Sequence, residues 1–427
     1  MDFTLRLPIV IALIVAGVIL NASAGQAASY YVNKSGSDAN SCATAQSSTD
    51  ANAKLTIAGG ISCLTAGDTL NIGNGTYSEN FSNPFGAVTG TSWAANQRIL
   101  VQAENKGGVT ITPALPRKSN CIGHSDANQK YIEWNGLVVD ALAGTPDTAS
   151  NRSCTFGLLV WAHSHHIRFR NMTVRNIYGA GVSILKDAGG NAEFNEVLDS
   201  EISYTAWSQG SGLQIDCFGQ TGNPPPANGY CHGFYVGGDN NLMERVNAHH
   251  NNGYGVQIYP GGSTGNILRN STVHHNVYGV VGIGTSVQIL NNVIYSNPKG
   301  ALIVSGTSSI YNNTIYNNPN DWGGLTNNGG THTVKNNIFY LSNPTNVTPD
   351  STNLVGTNPL FVDASAFNFR LQAGSPAIDR GASLPLVPTA IDGTARPQGT
   401  SYDIGAYEFG GGAANPPPDP PVNLRVN

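Results

Sequence analysis

Charged side chains are scarce in this sequence. Asp, Glu, Lys and Arg make up 11% of its 427 residues, against about a quarter in an ordinary globular protein. The 21 basic and 26 acidic residues give a net charge of −5, and no run of like charge occurs. Because binding to phosphates requires a cationic footprint, we expect no nucleic-acid partner.

Long hydrophobic runs are lacking beyond the N-terminus. The apolar stretch from Leu7 to Leu20 follows Arg6 and leads to small residues, with a cleavage site expected near Ala27 or Ala28. This is the pattern of a secretory signal, and the stretch is short for a membrane span. We therefore expect residues 1–28 to be a signal peptide and the mature protein to be secreted without a membrane span. A single-pass anchor is the alternative.

No pair of cysteines has CxxC spacing, which argues against a zinc site. All six cysteines follow the signal. An even number of cysteines in an exported chain indicates disulfides. We expect neighbours along the chain to pair, which gives Cys42 with Cys63, Cys121 with Cys154, and Cys217 with Cys231.

What the sequence does have is 51 glycines and a seven-residue unit that recurs, as in NNVIYSN at 291–297 and NNTIYNN at 312–318. Such a unit has too few residues to bury a face alone, so the recurrence predicts a solenoid. The gaps between successive units are 28, 46, 25, 21, 21 and 24 residues, and the gap of 46 is either two coils or one coil plus an insertion. The units begin at Asn171, Asp199, Arg245, Asn270, Asn291, Asn312 and Asn336.

Apolar residues recur two positions before and three positions after the start of each unit, and we interpret them as inward columns. A second short run with period-two alternation follows, as in GVSIL at 181, GLQID at 212 and GFYVG at 233. Two or three short strands per turn, without helical periodicity, predict an all-β fold, the parallel β-helix.

The asparagine that ends each unit has a structural interpretation. Stacked strands lie about 4.8 Å apart, so these amides would lie directly above one another and satisfy each other's donors and acceptors. We expect this column to hold the turns rather than to take part in chemistry. It comprises Asn251, Asn276, Asn297 and Asn318.

The repeats resemble those of the right-handed parallel β-helix proteins of the pectate-lyase-like superfamily. The phrase HGFYVGGDNNLMERVNAHHNNGYGVQIY at 232–259 is typical of its exported bacterial members. We expect the β-helix at 65–345, behind an N-terminal cap at 29–64 whose short helix carries Leu55, Ile61 and Leu64. Residues 346–409 resemble the family's terminal module and should form a C-terminal β cap. Residues 410–427 read as a Gly/Pro-rich linker tail.

Most of the candidate catalytic and substrate-binding residues lie at one edge of the predicted second strands. Superposing these strands aligns Ile184, Ile215 and Val236 inward and places Trp161, Asp216 and Tyr259 outward, with Lys186 and Asp239 just beyond. His232 follows the predicted Cys217–Cys231 disulfide. A structural role in turns is the alternative for Lys186 and Asp239. The candidate catalytic residues are Lys186, Asp216, His232 and Asp239, and Trp161, Tyr235 and Tyr259 are candidate substrate-binding residues.

The resemblance implies action on a polysaccharide. In elimination, Lys186 or a cation would neutralise a uronate carboxylate, and His232 or Lys186 would remove the adjacent proton. In hydrolysis, Asp187 and Asp239 would act as paired carboxylates roughly 6.5–9.5 Å apart. The Asp-rich signature of the family's pectin hydrolases and the basic strand motif of its pectate lyases are both absent. No catalytic residue is therefore carried over from the family.

A separate outward column contains His249, His274 and Tyr295. It is either a self-stacking aromatic ladder or a sugar-binding track. No carboxylate or cysteine in register completes a metal set, so we expect no metal ligand there. Calcium is a candidate ion through Asp and backbone oxygens.

The function that this sequence predicts is a secreted, monomeric, polysaccharide-binding β-helix protein that acts on uronic-acid glycans. A lyase is favoured over a glycoside hydrolase. The alternative is a non-catalytic extracellular adhesion or matrix protein, and the absence of a recognised catalytic signature keeps it open.

Overall fold

The computed structural model describes residues 27–114, 120–126, 129–141, 154–208, 213–214, 231–259, 262–319 and 323–410. Most of their strands fall into three parallel columns wound around one axis. The first column contains β1 (Ser29–Val32), β2 (Thr69–Ile72), β5 (Ile99–Ala103), β8 (Ile132–Asn135), β11 (Ile167–Arg170), β14 (Glu196–Leu198), β19 (Leu242–Glu244), β22 (Ile267–Arg269) and the second halves of β24 (Tyr278–Leu290), β26 (Leu302–Tyr311) and β28 (Leu325–Lys335).

The second and third columns complete each coil. The second contains β3 (Gly75–Ser78), β6 (Val109–Thr112), β9 (Leu137–Asp140), β12 (Thr173–Arg175), β15 (Glu201–Ser203), β20 (Asn247–His249), β23 (Thr272–His274), β25 (Val293–Tyr295), β27 (Thr314–Tyr316), β29 (Ile338–Tyr340) and β31 (Leu354–Val355). The third contains β4 (Phe81–Ser82), β7 (Asn120–His124), β10 (Phe156–Trp161), β13 (Ala180–Leu185), β18 (Phe234–Val236), β21 (Tyr254–Ile258), the first halves of β24, β26 and β28, and β30 (Pro344–Thr345). The predicted all-β parallel solenoid is confirmed, with three strands per coil.

The remaining described elements lie outside these columns. Two antiparallel pairs are formed, one by β16 (Trp207–Ser208) with β17 (Leu213–Gln214) and one by β32 (Phe361–Asp363) with β33 (Asn368–Leu371). The helices are α1 (Ile57–Ile61) and the 3-10 turns Thr44–Gln46, Asp50–Asn52 and Ala364–Ala366.

Strand register shows whether the 46 residues between the unit starts Asp199 and Arg245 form two coils or one coil with an insertion. In the third column Ile184 of β13 lies directly beside Val236 of β18, and β14 pairs directly with β19 in the first. The gap is therefore one coil plus an insertion. The run GLQID at 212 was wrongly aligned as a strand of the parallel third column, because its described residues Leu213–Gln214 pair antiparallel with Trp207–Ser208. Ile215 and Asp216 themselves lie outside the described residues.

The predicted inward columns form the core. Their side chains are buried on every coil, and they interdigitate along the axis in one continuous cluster. Burying a Val, Leu or Ile contributes about 1.5–3 kcal/mol, so the repeated columns supply the stability that no single coil has. The buried residues are Phe169, Val197, Met243, Leu268, Ile289, Ile310 and Val334, with Val174, Ile202, Ala248, Val273, Ile294, Ile315 and Phe339.

The first residue of each repeat unit is a one-residue corner between the first and second columns. All seven such residues have positive φ, from 52° to 58°. Asn and Asp tolerate this left-handed conformation better than other residues with a side chain. That preference explains why asparagine opens five of the seven units, with Asp199 and Arg245 as the others.

The predicted asparagine column is confirmed. Asn276 Nδ2 donates to Asn297 Oδ1 at 3.2 Å, and Asn297 Nδ2 donates to Asn318 Oδ1 at 2.9 Å. Asn251 makes the same contact to Asn276 at 2.9 Å. Two further columns that were not predicted have the same geometry, one of Asn292, Asn313, Asn337 and Asn353 and one of Asn195, Asn241 and Asn266.

The N-terminal end differs from expectation in its details. Helix α1 begins at Ile57, which is buried, and Leu55 precedes it with 37% of its surface exposed. Leu55 was therefore wrongly placed on the packed side, whereas Ile61 and Leu64 are buried as predicted. Strand β1 already pairs with β2, so the first column starts before residue 65.

The disulfides Cys42–Cys63 and Cys121–Cys154 are both present. Cys231 is disulfide-bonded, and Cys217 lies outside the described residues, as do residues 1–26 of the predicted signal peptide and the tail from 411. Across the part of the chain that is described, no helix has the length and apolar character to cross a membrane.

The C-terminal module packs against the second column from β25 onwards. Phe361, Phe369 and Tyr407 form a core with Tyr295 and Ile338. Its charges pair internally, with Arg396 Nη1 at 2.6 Å from Glu408 Oε2 and Arg370 Nη2 at 2.8 Å from Asp392 Oδ2.

Candidate functional site

Lys186 and Asp239 are in contact, as the sequence predicted. Lys186 Nζ lies 3.2 Å from Asp239 Oδ1 and donates to the carbonyl of Gly262 at 2.7 Å. Asp239 also accepts from the Thr264 amide at 2.8 Å and from Asn191 Nδ2 at 2.9 Å. Both carboxylate oxygens are thus engaged in joining neighbouring coils at a corner. The structural role is directly visible, and a catalytic role for this pair stays a prediction.

His232 does not join that pair. It lies at the other end of β18 with 5% of its surface exposed, and its Nδ1 accepts from the Tyr254 amide at 3.2 Å. Burial lowers the pKa of His232 to about 3. The ring contacts are to Tyr235 and Tyr254, at 5.8 and 4.9 Å between centroids. His232 is therefore a neutral core histidine, and the proposed grouping with Lys186 is wrong because adjacency in sequence does not reveal burial.

The other members of the predicted site are dispersed. Trp161 Nε1 donates to Asp187 Oδ2 at 2.8 Å, and Asp187 also accepts from the amide of Gly189, so Asp187 closes its own turn. These hydrogen bonds lower the pKa of Asp187. Tyr235 packs in a small apolar cluster, and Tyr259 has 41% of its surface exposed. Asp216 lies outside the described residues.

The column of His249, His274 and Tyr295 is a buried stack. Its rings are nearly parallel, with centroids 5.0 Å apart between the two histidines and 4.7 Å apart between His274 and Tyr295. None of the three has more than 4% of its surface exposed. The prediction that they bind substrate is therefore corrected, because they offer no surface to a sugar, and the aromatic-ladder interpretation describes them.

A groove lined by aromatic rings lies at the corner between the third and first columns. The rings of Tyr131 and His166 are tilted against each other at 4.6 Å between centroids, and Phe194 stacks on His166 at 5.3 Å. Trp93 closes one side with its edge towards Tyr131, at 5.5 Å. Phe194 has 45% of its surface exposed. The groove has a volume of about 360 Å³ and is lined by Ser92, Trp93, Tyr131, His166, Phe194, Glu196, Asn240 and Leu242.

The backbone fixes this aromatic column. Tyr131, His166 and Phe194 have φ values of 52°, 56° and 55°, and each amide donates to the next coil, as Tyr131 does to the His166 carbonyl at 2.8 Å. Left-handed conformations are unfavourable for bulky residues. The same corner carries Asn240 and Gly265 on the next two coils. Bulky rings are therefore not required by the corner.

Trp93 is held over the first column by its own loop and by an arginine. Ser92 Oγ donates to Gln97 Oε1 at 2.6 Å, and the Gly90 amide donates to the Lys130 carbonyl at 3.0 Å. The guanidinium carbon of Arg168 lies 3.8 Å from the centroid of the Trp93 ring. This cation–π contact orients Trp93 towards the groove.

Ion pairs flank the groove on the first column. Arg168 Nε donates to Glu196 Oε2 at 2.6 Å, and its Nη1 lies 3.3 Å from Glu133 Oε2. Arg98 and Arg170 approach the same Glu133, at 3.1 and 3.7 Å. The described residues at this edge thus include three arginines and two glutamates, an excess of one positive charge.

His166 is the titratable ring within the groove. Its Nδ1 lies 2.7 Å from Nδ1 of His165, so one ring donates to the other. Burial, with the neighbouring His165, lowers the pKa of His166. It is therefore neutral near pH 7. Among the described residues there is no group of three or more His, Cys, Asp or Glu side chains that could hold a metal ion.

Three parallel columns around one core define the class of this protein, a parallel β-helix. Residues 156–319 match the family model for a right handed beta helix region. The structure is similar to a crystal structure of pectate lyase Pel9A, with a TM-score of 0.61 and 17% identity over 90% of this chain and 98% of that chain.

A rhamnogalacturonan lyase has a TM-score of 0.50 and 16% identity, over 79% of this chain and 91% of the other. None of the curated protein sequences matches this one. At such identities the likeness shows the fold alone, and activity has to be argued from the site.

The aromatic groove was missed by the sequence analysis, although a signal was available. Tyr131, His166, Phe194 and Asn240 lie in neighbouring coils, and the last three stand five positions before the unit starts Asn171, Asp199 and Arg245. Alignment of that position would have shown the column. The contribution of Trp93 was not accessible in this way, because its loop precedes the first aligned unit and folds back over β8 and β11.

Proposed function

We propose that this protein is exported and binds a polysaccharide in the aromatic groove. The observation that carries the proposal is the set of rings Trp93, Tyr131, His166 and Phe194 along one edge of the solenoid, of which Phe194 is exposed and the other three are half-buried. Aromatic rings present flat apolar faces to the C–H faces of sugars, and the neighbouring polar groups can bind hydroxyls. The two similar structures described as polysaccharide lyases support this substrate class.

We further propose that the polysaccharide contains uronic acid and is cleaved by elimination. Arg98, Arg168 and Arg170 give this edge a positive excess that suits a carboxylate. When His166 donates its Nδ1–H to His165, its Nε2 is free to take the proton next to that carboxylate. The electron pair left on that carbon forms a C=C bond, the bond to the glycosidic oxygen breaks, and this oxygen takes a proton from solvent. A non-catalytic adhesion or matrix function is the alternative.

Binding and product formation can be measured on the same protein. The protein without residues 1–28 is titrated calorimetrically with polygalacturonate and with alginate, and product is followed by the ultraviolet absorbance of unsaturated sugars. Because each aromatic contact contributes about 0.5–1.5 kcal/mol, we expect Phe194→Ala and Trp93→Ala to weaken binding about 3- to 10-fold. His166→Gln should abolish product and weaken binding no more than Phe194→Ala does.

The matched control is Phe409→Ala, which removes an equally exposed phenylalanine in the C-terminal module (39% exposed, against 45% for Phe194). Unchanged binding in Phe194→Ala and Trp93→Ala would show that the groove is not the site. Binding without product from either polymer would favour the non-catalytic alternative.

A further inference from the structure

A second cleft lies where the C-terminal module meets the first column of strands. It has a volume of about 180 Å³ and lies between strands β19, β22 and β24 and the module loop 386–389. The loop is fixed in place, since Asn291 Nδ2 donates to the Thr389 carbonyl at 3.1 Å and the Arg396 amide donates to the Pro388 carbonyl at 2.9 Å. These bonds hold the loop against the solenoid beside the cleft.

The two walls of this cleft differ in chemistry. Leu386, with 52% of its surface exposed, and buried Leu290 form an apolar wall. Arg269 forms the polar wall, and its Nη2 donates to Glu244 Oε2 at 2.9 Å. The buried Nε of Arg269 has no hydrogen-bond partner among the described residues. One apolar face opposite charged donors is the arrangement that suits a sugar ring with polar edges.

The cleft and the aromatic groove are connected by one strand. Leu242 of β19 lines the groove, and Glu244 of the same strand lines the cleft. From β8, beside Tyr131, to β24, beside Leu290, the first column advances five strand spacings, about 24 Å at the usual separation. A disaccharide held beside Tyr131 does not reach Leu290, whereas a chain of several sugars can occupy the groove and the cleft together.

We propose that this cleft is a second subsite, which holds a sugar residue of the same polysaccharide that lies in the aromatic groove. This inference rests on the proposed function. It makes the C-terminal module part of the binding surface as well as the cover of the solenoid, and it makes affinity depend on chain length.

The test uses oligogalacturonides from the disaccharide to the octasaccharide, titrated calorimetrically against the protein without residues 1–28. Affinity should rise again once the chain is long enough to span both sites. Leu386→Ala should weaken binding of the octasaccharide about 3- to 10-fold and leave the disaccharide unaffected. The matched control is Leu360→Ala, another exposed leucine of the module, which should change neither.

The outcomes separate this inference from the proposed function. If Phe194→Ala weakens binding at every length and Leu386→Ala weakens none, the groove stands and the second subsite is overturned. Affinity that does not rise beyond the shortest bound chain also overturns it. If no oligogalacturonide binds at all, the proposed function fails for this substrate class and the subsite falls with it.

Discussion

Single asparagines have two different tasks in this solenoid. Those that end a repeat unit, such as Asn297, are fully buried and hydrogen-bond to the copies above and below. Those that open a unit adopt the left-handed conformation, and in the last three units, at Asn291, Asn312 and Asn336, their side chains donate to the C-terminal module. Asn312 Nδ2 donates to the carbonyls of Asp403 and Gly405 at 3.0 and 3.1 Å, and Asn336 donates to that of Ala382 at 2.8 Å. One residue type thus holds both the coils and their cover.

We predict that Asn297→Ala lowers the free energy of unfolding by about 2–4 kcal/mol, because buried polar partners lose their hydrogen bonds. Asn297 accepts from the amide and side chain of Asn276, and it donates to the carbonyls of Val273 and Tyr295 as well as to Asn318. Chemical denaturation provides the measurement. Asn343→Ala, an exposed asparagine of the same fold, is the control and should change stability by less than about 0.5 kcal/mol.

Residue-scale inference from the sequence succeeded where a side chain repeats with the coil. The asparagine column and the inward apolar columns were predicted because their residues recur once per coil, and residues one coil apart in the sequence are in contact in the solenoid. His232 was misassigned because its neutral, buried state depends on Tyr235 and Tyr254, which the sequence does not place around it. Lys186 and Asp239 were brought together correctly, yet their further partners Gly262 and Thr264 lie in the connection between β21 and β22, which the alignment of strands and repeat units did not cover.

At the scale of elements, strands β20 and β23 place four histidines at one corner. His250 and His275 stack at 5.1 Å between centroids, beside the buried His249 and His274. His249 Nε2 faces Glu201 and His274 Nε2 faces Asn247, so both donate there and accept at Nδ1 from His250 and His275. Four neutral rings satisfy every one of these contacts. Tyr204 and Phe367 cover the ends of the outer pair.

We predict that stability falls with pH below about 6.5, the ordinary histidine value. Burial, with the neighbouring His249 and His275, lowers the pKa of His250 to about 4, and the pKa values of His274 and His275 are lowered too. The unfolded chain therefore binds more protons between pH 6.5 and 4. This contribution is present in full above pH 6.5 and is lost as the pH falls towards 4.

The measurement is urea unfolding at a series of pH values, on the wild type and on the double variant His250→Tyr with His275→Tyr. Tyr204 shows that tyrosine adopts this corner conformation, with φ of 53°. The variant should be less stable at pH 8, because His249 and His274 lose donors, and its stability should fall less steeply below pH 6.5. Parallel pH profiles for the two proteins would contradict the assignment.

At the scale of the whole molecule, the C-terminal module covers the second column and reaches the first. Its apolar residues pack on β25, β27 and β29, and its loop 386–389 forms one wall of the second cleft. The sequence predicted a terminal cap at 346–409. It did not predict the cleft, because the residues that form it come from β19, β22, β24 and a loop about 100 positions later in the chain, and only the winding of the coils brings them together.

The whole assembly of module and solenoid depends on Arg396. Its guanidinium is fully buried and paired with Glu408, and it donates to the Gly405 carbonyl at 2.8 Å and to Asn291 Oδ1 of the solenoid at 3.1 Å. Removing one partner of a buried pair typically costs about 3–5 kcal/mol, because the other charge stays buried.

We therefore predict that Arg396→Ala destabilises the module by about 3–5 kcal/mol and loosens the loop that carries Leu386. Thermal unfolding and hydrogen exchange at residues 361–371 measure the first effect, and octasaccharide affinity measures the second. Arg380→Ala, at an exposed arginine of the module, should change neither. The double variant Arg396→Met with Glu408→Leu removes both charges and should recover part of the loss, since apolar pairs replace buried ion pairs at little cost. A double variant no more stable than Arg396→Ala would locate the contribution of Arg396 in its contacts with Asn291 and Gly405 rather than in charge compensation.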